Sequence, residues 1–108
     1  MTTEKPFSPS CVENRVPILR VLQPRLSGRS RLLEIGSGTG QHAAWFAPRL
    51  PQLTWVATDL PGNHAGIAAW VAASAADNLE GPLSLDVTAS WPGLGAVDAA
   101  FSANTAHI

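Results

Sequence analysis

The sequence predicts an α/β fold, a three-layer sandwich built on a parallel sheet. Short apolar runs alternate along the 108 residues with segments of helical character, which is the order of strand–helix–strand units. A glycine-rich segment, GSGTG, follows the first apolar run and precedes a helix. Right-handed crossovers then place the first two connecting helices on one side of the sheet.

Four apolar runs are predicted to form the strands. They are RLLEI at residues 31–35, LTWVAT at 53–58, PLSLDV at 82–87 and VDAAFS at 97–102. Nearly continuous apolar runs of this length, bounded by turn residues, are typical of buried parallel strands. The segment between the last two runs is short and contains proline and two glycines, so no full helix is expected there.

The helices are predicted from capping residues and prolines. Residues 1–13 are interpreted as an irregular lead-in, and Asn14 as the N-cap of a helix that Pro24 ends or bends. The second helix is predicted over residues 41–47 and the third, capped by Asn63, runs to residue 76.

Composition favours one globular, cytoplasmic domain. Apolar residues make up 45% of the chain and the formal net charge is −1, so nothing favours nucleic acid or an anionic membrane as a partner. The N-terminus lacks the pattern of a signal peptide, and no run approaches the ~20 apolar residues of a membrane span. Cys11, the single cysteine, is interpreted as a small buried hydrophobe.

Five arginines fall within the first 31 residues, at positions 15, 20, 25, 29 and 31. They are interpreted as a solvated helix face and loop. The alternative is an anion-binding patch near the mouth of a substrate site.

Three acidic residues accompany the glycine loop. Glu34 lies two residues before Gly36, Asp59 ends the second predicted strand, and Asp86 lies near the end of the third. Carboxyl ends of parallel strands line one crevice, where ligands bind, and glycines let a ligand approach bare backbone. Each acid could instead be a helix cap or a turn residue, and Asp86 taken singly is equally well interpreted so, but three acids at three consecutive strand ends beside a glycine loop favour a ligand site.

The loop favours a sulfonium nucleoside over a nicotinamide dinucleotide. In the dinucleotide fingerprint the position of Gln41 is glycine or alanine. A carboxylate at Glu34 would also repel a pyrophosphate, whereas it would attract a ligand that carries an ammonium and a sulfonium.

These segments resemble the class I S-adenosylmethionine-dependent methyltransferase superfamily, with its Rossmann-like fold. More narrowly, the chain resembles the domain-of-unknown-function 938 family, also called methyltransferase-like 26. The segments that carry the narrower resemblance are KPFSPSCVENRVPIL, LLEIGSGTGQHAAWFA, LTWVATDLPGN, LSLDVT and FSANTAHI. The resemblance implies a seven-stranded sheet in the order 3-2-1-4-5-7-6, of which this chain would supply 3-2-1-4.

The resemblance also implies roles in binding S-adenosyl-L-methionine. Glu34 would face the amino acid end, directly or through water, and Asp59 would hold the ribose hydroxyls. Asp86 would meet the adenine together with the Val87 backbone, and residues 102–108 would lie beside the sulfur. The loop residues expected against the methionine and ribose are Gly36, Ser37, Gly38 and Gly40.

His107 is the candidate base, if the methyl acceptor must lose a proton, and Asn104 could orient that acceptor. A structural role for His107 is the alternative. His42 and His64 are interpreted as helix-surface or capping residues. No metal site is expected. The sequence does not identify the acceptor, although a small molecule is favoured.

Because only four of seven strands are expected, the chain is predicted to be a truncated, cofactor-binding half that is catalytically silent and self-associates. An aminopropyltransferase is a rival activity, but that chemistry resembles sites with an acidic base after the fourth strand, and SANTAHI contains none. The rival outside enzymes is a non-catalytic fragment or binding module.

Overall fold

The computed structural model describes residues 7–85 and 97–103. The four strands form one sheet in which each adjacent pair is parallel, and their order across the sheet is third, second, first and fourth along the chain. This arrangement confirms the predicted α/β class and strand order. The elements, in chain order, are α1 (Pro9–Leu26), β1 (Arg31–Glu34), α2 (Gln41–Phe46), β2 (Thr54–Asp59), α3 (His64–Ala73), β3 (Leu79–Ser84) and β4 (Ala99–Phe101), with short 3-10 turns at Ala47–Arg49 and Pro61–Asn63.

The main core lies between the helices and one face of the sheet. Strand side chains alternate between faces, so Leu32, Trp55 and Ala57 pack with the helices while Leu33 and Val56 point the other way. Residues of all three α-helices join this core. The helices among the described residues therefore all cover one face of the sheet. This agrees with the prediction that the first two connecting helices lie on one side. The described residues thus form two of the three predicted layers, the sheet and one layer of helices.

Helix α1 begins earlier than predicted. Ser8 is its N-cap and Pro9 lies in its first turn, where the missing N–H costs little. Residues 9–13 are thus helical rather than part of an irregular lead-in, and Asn14 is not the cap. Pro24 does not end the helix either, because Leu26 is buried in the core and keeps the last turn in place.

Strand β3 lies three residues before its predicted position. Its register against β2 shifts between Val56 and Thr58, opposite Gly81 and Pro82. Gly81 has a φ of +112°, and a Cβ there would clash with the Ala57 carbonyl oxygen. Since β3 is an outer strand, it tolerates a proline and a bulge that a central strand would not.

Two expectations from composition can be compared with the fold. Cys11 is buried, as predicted, with 5% of its surface exposed. Across residues 7–85 and 97–103, no helix combines the length and apolar character needed to cross a membrane.

Candidate functional site

The glycine loop leaves β1 and turns directly into α2. Gly36, Gly38 and Gly40 all have positive φ angles, of +70°, +61° and +89°. At Gly40 a Cβ would lie 2.9 Å from the Ile67 Cα and 3.3 Å from the Trp70 Cβ. Only glycine combines this backbone conformation with such close packing of α3 on the loop.

Ser37 fastens the loop to the ends of β1 and β2. Its hydroxyl donates to Glu34 Oε1 at 2.8 Å and accepts from the Thr58 backbone N–H at 3.0 Å. The Ser37 N–H in turn donates to the Thr58 carbonyl at 2.8 Å. The loop is therefore held in one conformation by groups that belong to the sheet.

Glu34 lies beneath the loop and is fully buried. Its Oε1 accepts hydrogen bonds from Ser37 and from Trp55 Nε1, the latter at 3.1 Å. Its Oε2 is also buried and has no hydrogen-bond partner among the residues the structure describes. The carboxyl group thus keeps one acceptor oxygen unsatisfied beside the loop.

Burial raises the pKa of Glu34 to about 7, and the charge of Asp59 acts in the same direction. The hydrogen bonds from Ser37 and Trp55 lower this pKa but do not offset the burial. Glu34 is therefore mostly ionised only above about pH 7. The electrostatic preference for a cationic ligand is correspondingly stronger there than at lower pH.

Asp59 ends β2 beside the loop. Its Oδ2 accepts from the Gly38 N–H at 2.8 Å and its Oδ1 from the Leu60 N–H at 2.7 Å. A carboxylate offers about four lone-pair sites, so about two remain for other donors. The side chain is half-buried, and it can both brace the loop and accept hydrogen bonds from a ligand.

His42 is buried rather than at the helix surface, with 3% of its surface exposed. Its ring stacks on Phe46 at 5.2 Å between centroids and meets Phe101 edge-on at 6.4 Å. Burial, and then the nearby Arg15, lowers the pKa of His42, and its Nδ1 is buried without a partner in the described part of the chain. The four-residue spacing from Phe46 is the signal that could have indicated a buried position.

His64 is half-buried at the start of α3, where Nε2 donates to the Asp59 carbonyl at 2.9 Å. This contact joins the start of α3 to the end of β2 and satisfies no N–H group of the helix, so His64 is neither a surface residue nor a cap of α3. The other predicted site residues lie outside the described residues: Asp86, Val87, Asn104 and His107. No group of three potential metal ligands occurs within the described ranges.

Comparison with known families shows that residues 5–108 match the family described as "Protein of unknown function (DUF938)". The match spans nearly the whole chain. The chain belongs to the DUF938 family. No solved structure matches this DUF938 chain at a significant level.

Proposed function

We propose that this DUF938 chain carries the S-adenosyl-L-methionine site of a class I methyltransferase. The observation that carries the proposal is the placement of Glu34 and Asp59 at the ends of neighbouring parallel strands, on either side of one glycine loop. The three glycines of the loop present bare backbone between two carboxyl groups. That combination suits a nucleoside that bears hydroxyls and positive charge.

The position of the loop in the sheet supports a ligand site. In the order β3-β2-β1-β4, the chain passes from one side of β1 to the other. Open α/β sheets bind ligands outside the carboxyl ends of their strands at such a switch point. The four strands also follow the first part of the order 3-2-1-4-5-7-6 implied by the methyltransferase resemblance, so we propose that the chain corresponds to the first half of that sheet.

The residues present fit the cofactor. The unsatisfied Oε2 of Glu34 could accept from the ammonium, directly or through a water molecule. The remaining lone pairs of Asp59 could accept from the two ribose hydroxyls. When bound, the cofactor supplies a methyl group on a sulfonium leaving group. The contribution of the protein is to hold and orient it and to exclude water.

Asp59→Ala tests the ribose assignment. Loss of a charge-assisted acceptor is expected to weaken binding of S-adenosyl-L-methionine by about 1.5–3 kcal/mol, which is at least tenfold. Calorimetric titration measures the difference. Asp77→Ala removes a carboxylate from an exposed turn before β3 and is expected to leave the affinity unchanged.

Asp59 also braces the loop, so Asp59→Asn serves as a second variant that keeps one acceptor oxygen and the shape of the side chain. It is expected to bind more tightly than Asp59→Ala. Unchanged affinity in both variants would reject the ribose assignment. Tighter binding of a nicotinamide dinucleotide would reject the methyltransferase proposal as a whole.

Turnover separates the methyltransferase from a binding module. Release of S-adenosylhomocysteine, measured against a panel of small-molecule acceptors, is the expected sign of an enzyme in the full protein. His107 and Asn104 remain the candidates for base and acceptor orientation. Binding without turnover on any acceptor would favour the module.

A further inference from the structure

A cavity lies in the helix layer, lined mainly by residues of α1, α2 and α3, and neither Glu34 nor Asp59 is part of its lining. Its volume is about 220 Å³. At about 30 Å³ per water molecule it has room for about seven waters. A cavity of this size suits a ligand with one ring and a small substituent.

Two indole rings line this helix-layer cavity. Trp45 of α2 and Trp70 of α3 both contribute to its wall and are both half-buried. Ala44 and Ala73 are small neighbours in the lining and leave the space between the helices open. Aromatic walls of this kind favour a flat apolar ring, which stacks on them or packs edge-on.

The polar group that distinguishes the cavity is Arg15 of α1. Its guanidinium lies 4.9 Å from the centroid of the Trp45 ring and is half-buried. No carboxylate pairs with Arg15 in the described part of the chain. The ion pair found there joins Arg31 and Glu80, at 3.1 Å, and does not involve Arg15. Arg49, the other guanidinium at Trp45, already donates to the Trp45 carbonyl at 2.8 Å.

The described lining of the cavity therefore carries a positive charge and no negative one. No acidic side chain is among its described lining residues, and Arg15 is close enough to His42 to lower the pKa of that imidazole. A planar guanidinium can hold a carboxylate through two parallel hydrogen bonds. The Arg15 guanidinium lies over the Trp45 indole and can still pair with an anion that enters the cavity.

We propose that the helix-layer cavity binds a small aromatic carboxylate. The ring packs between Trp45 and Trp70, and the carboxylate pairs with Arg15. The site does not depend on the proposed cofactor. Of the two interpretations of the early arginines, the anion-binding one thus applies to Arg15, whereas Arg20, Arg25 and Arg29 are exposed and Arg31 pairs with Glu80.

Benzoate is the probe, and benzamide is its neutral counterpart of the same shape. Titration of the ¹⁵N-labelled chain is expected to shift the indole N–H signals of Trp45 and Trp70 in a saturable way. The fully buried Trp55 is the internal reference. Benzamide and the Arg15→Gln variant are each expected to weaken binding about tenfold, because each removes the charge-assisted pair.

Arg20→Gln, on an exposed position of the same helix, is the matched control and is expected to bind like the unchanged chain. Trp70→Leu removes one wall and should weaken benzoate and benzamide alike. Equal benzoate affinity in the Arg15→Gln variant, an equal loss in Arg20→Gln, or no saturable shift at Trp45 and Trp70 would each overturn the proposal. Thermal melting confirms that each variant is folded.

Discussion

Glu34 is a carboxyl group that folding removes entirely from water. Its pKa rises from 4.5 to about 7, so between these values the folded chain binds more protons at this position than the unfolded chain does. The contribution of Glu34 to stability is therefore complete below about pH 4.5. It is lost progressively as the pH rises through 7.

The substitution Glu34→Gln removes this dependence. We expect the stability of the unchanged chain, relative to the variant, to fall by as much as about 3 kcal/mol between pH 4.5 and 8. Urea unfolding at a series of pH values measures the difference. Comparison with the variant is needed because His42 has a lowered pKa. Its contribution to the stability of the fold has the opposite pH dependence and is lost as the pH falls. Parallel curves for the two proteins would contradict the prediction.

The sequence indicates which residues meet at the loop but not their chemical state. Glu34 and Asp59 could be placed there because glycines follow the first strand and parallel strands end at one edge. The raised pKa of Glu34 depends on complete burial beside Ser37 and Trp55, and this requires packing between strands that the local pattern does not encode. His42 was misplaced for the same reason, since Phe101 covers it from a distant part of the chain.

At the scale of elements, Asn78 holds the connection between α2 and β2 against the start of β3. Its side-chain amide donates to the carbonyls of Ala47, Leu50 and Leu53, at 2.7, 3.2 and 2.8 Å. The Ala47 and Leu50 carbonyls also accept from the backbone N–H groups of Leu50 and Leu53, at 3.2 and 3.0 Å, so the amide is a second donor to both. One half-buried side chain thus stabilises the return of the chain from helix to strand.

Asn78→Ala is expected to lower the free energy of unfolding by about 1–3 kcal/mol, because the hydrogen bonds from the amide to the three carbonyls are lost. Chemical denaturation measures the loss. Asn63→Ala is the control, since Asn63 is exposed at the start of α3 and makes no capping hydrogen bond through its side chain. Equal losses in the two variants would show that the amide contacts contribute nothing specific.

Element types followed from the sequence more reliably than element ends. The apolar runs indicate all four strands, but they place the start of β3 at Pro82 rather than Leu79, because a glycine before a proline indicates a turn. In the folded chain Gly81 and Pro82 form a bulge on an outer strand, where the lost ladder hydrogen bond is tolerated. The start of α1 was missed because Asn14 is as good a local cap as Ser8, and tertiary packing decides between them.

At the scale of the whole molecule, β4 is an outer strand of the described sheet. Asp98, the charged residue beside it, is exposed and accepts from the Ser30 and Arg31 N–H groups at 2.9–3.1 Å. Its charge is therefore engaged with β1 and does not protect the outer edge. An outer strand without such protection is a template for pairing with another chain.

We expect the 108-residue chain on its own to self-associate through β4. Ala100 is exposed on this strand, and Ala100→Lys should reduce association by placing a charge at the edge. Ala68→Lys, the same change at an exposed position of α3, should not. Sedimentation velocity over a concentration series measures the effect. A clean monomer at all concentrations would contradict the expectation.

The parallel sheet could be predicted as a whole because strands and helices alternate, and a right-handed crossover leaves few topologies. The helix-layer cavity could not be predicted. It exists because three helices meet at Trp45, Trp70 and Arg15, and their mutual angles depend on the complete set of core contacts.

The bulge at Gly81 and Pro82 also determines how far such an assembly can grow. It interrupts the ladder on β3, and Pro82 has no N–H to offer, so the two rims of the sheet are unequal. A second copy of the chain can then pair with β4, but a further copy cannot be added through β3. Two β4 rims that meet in antiparallel orientation are related by a twofold axis and leave no further open strand of this kind. The product would be a closed dimer rather than a fibre.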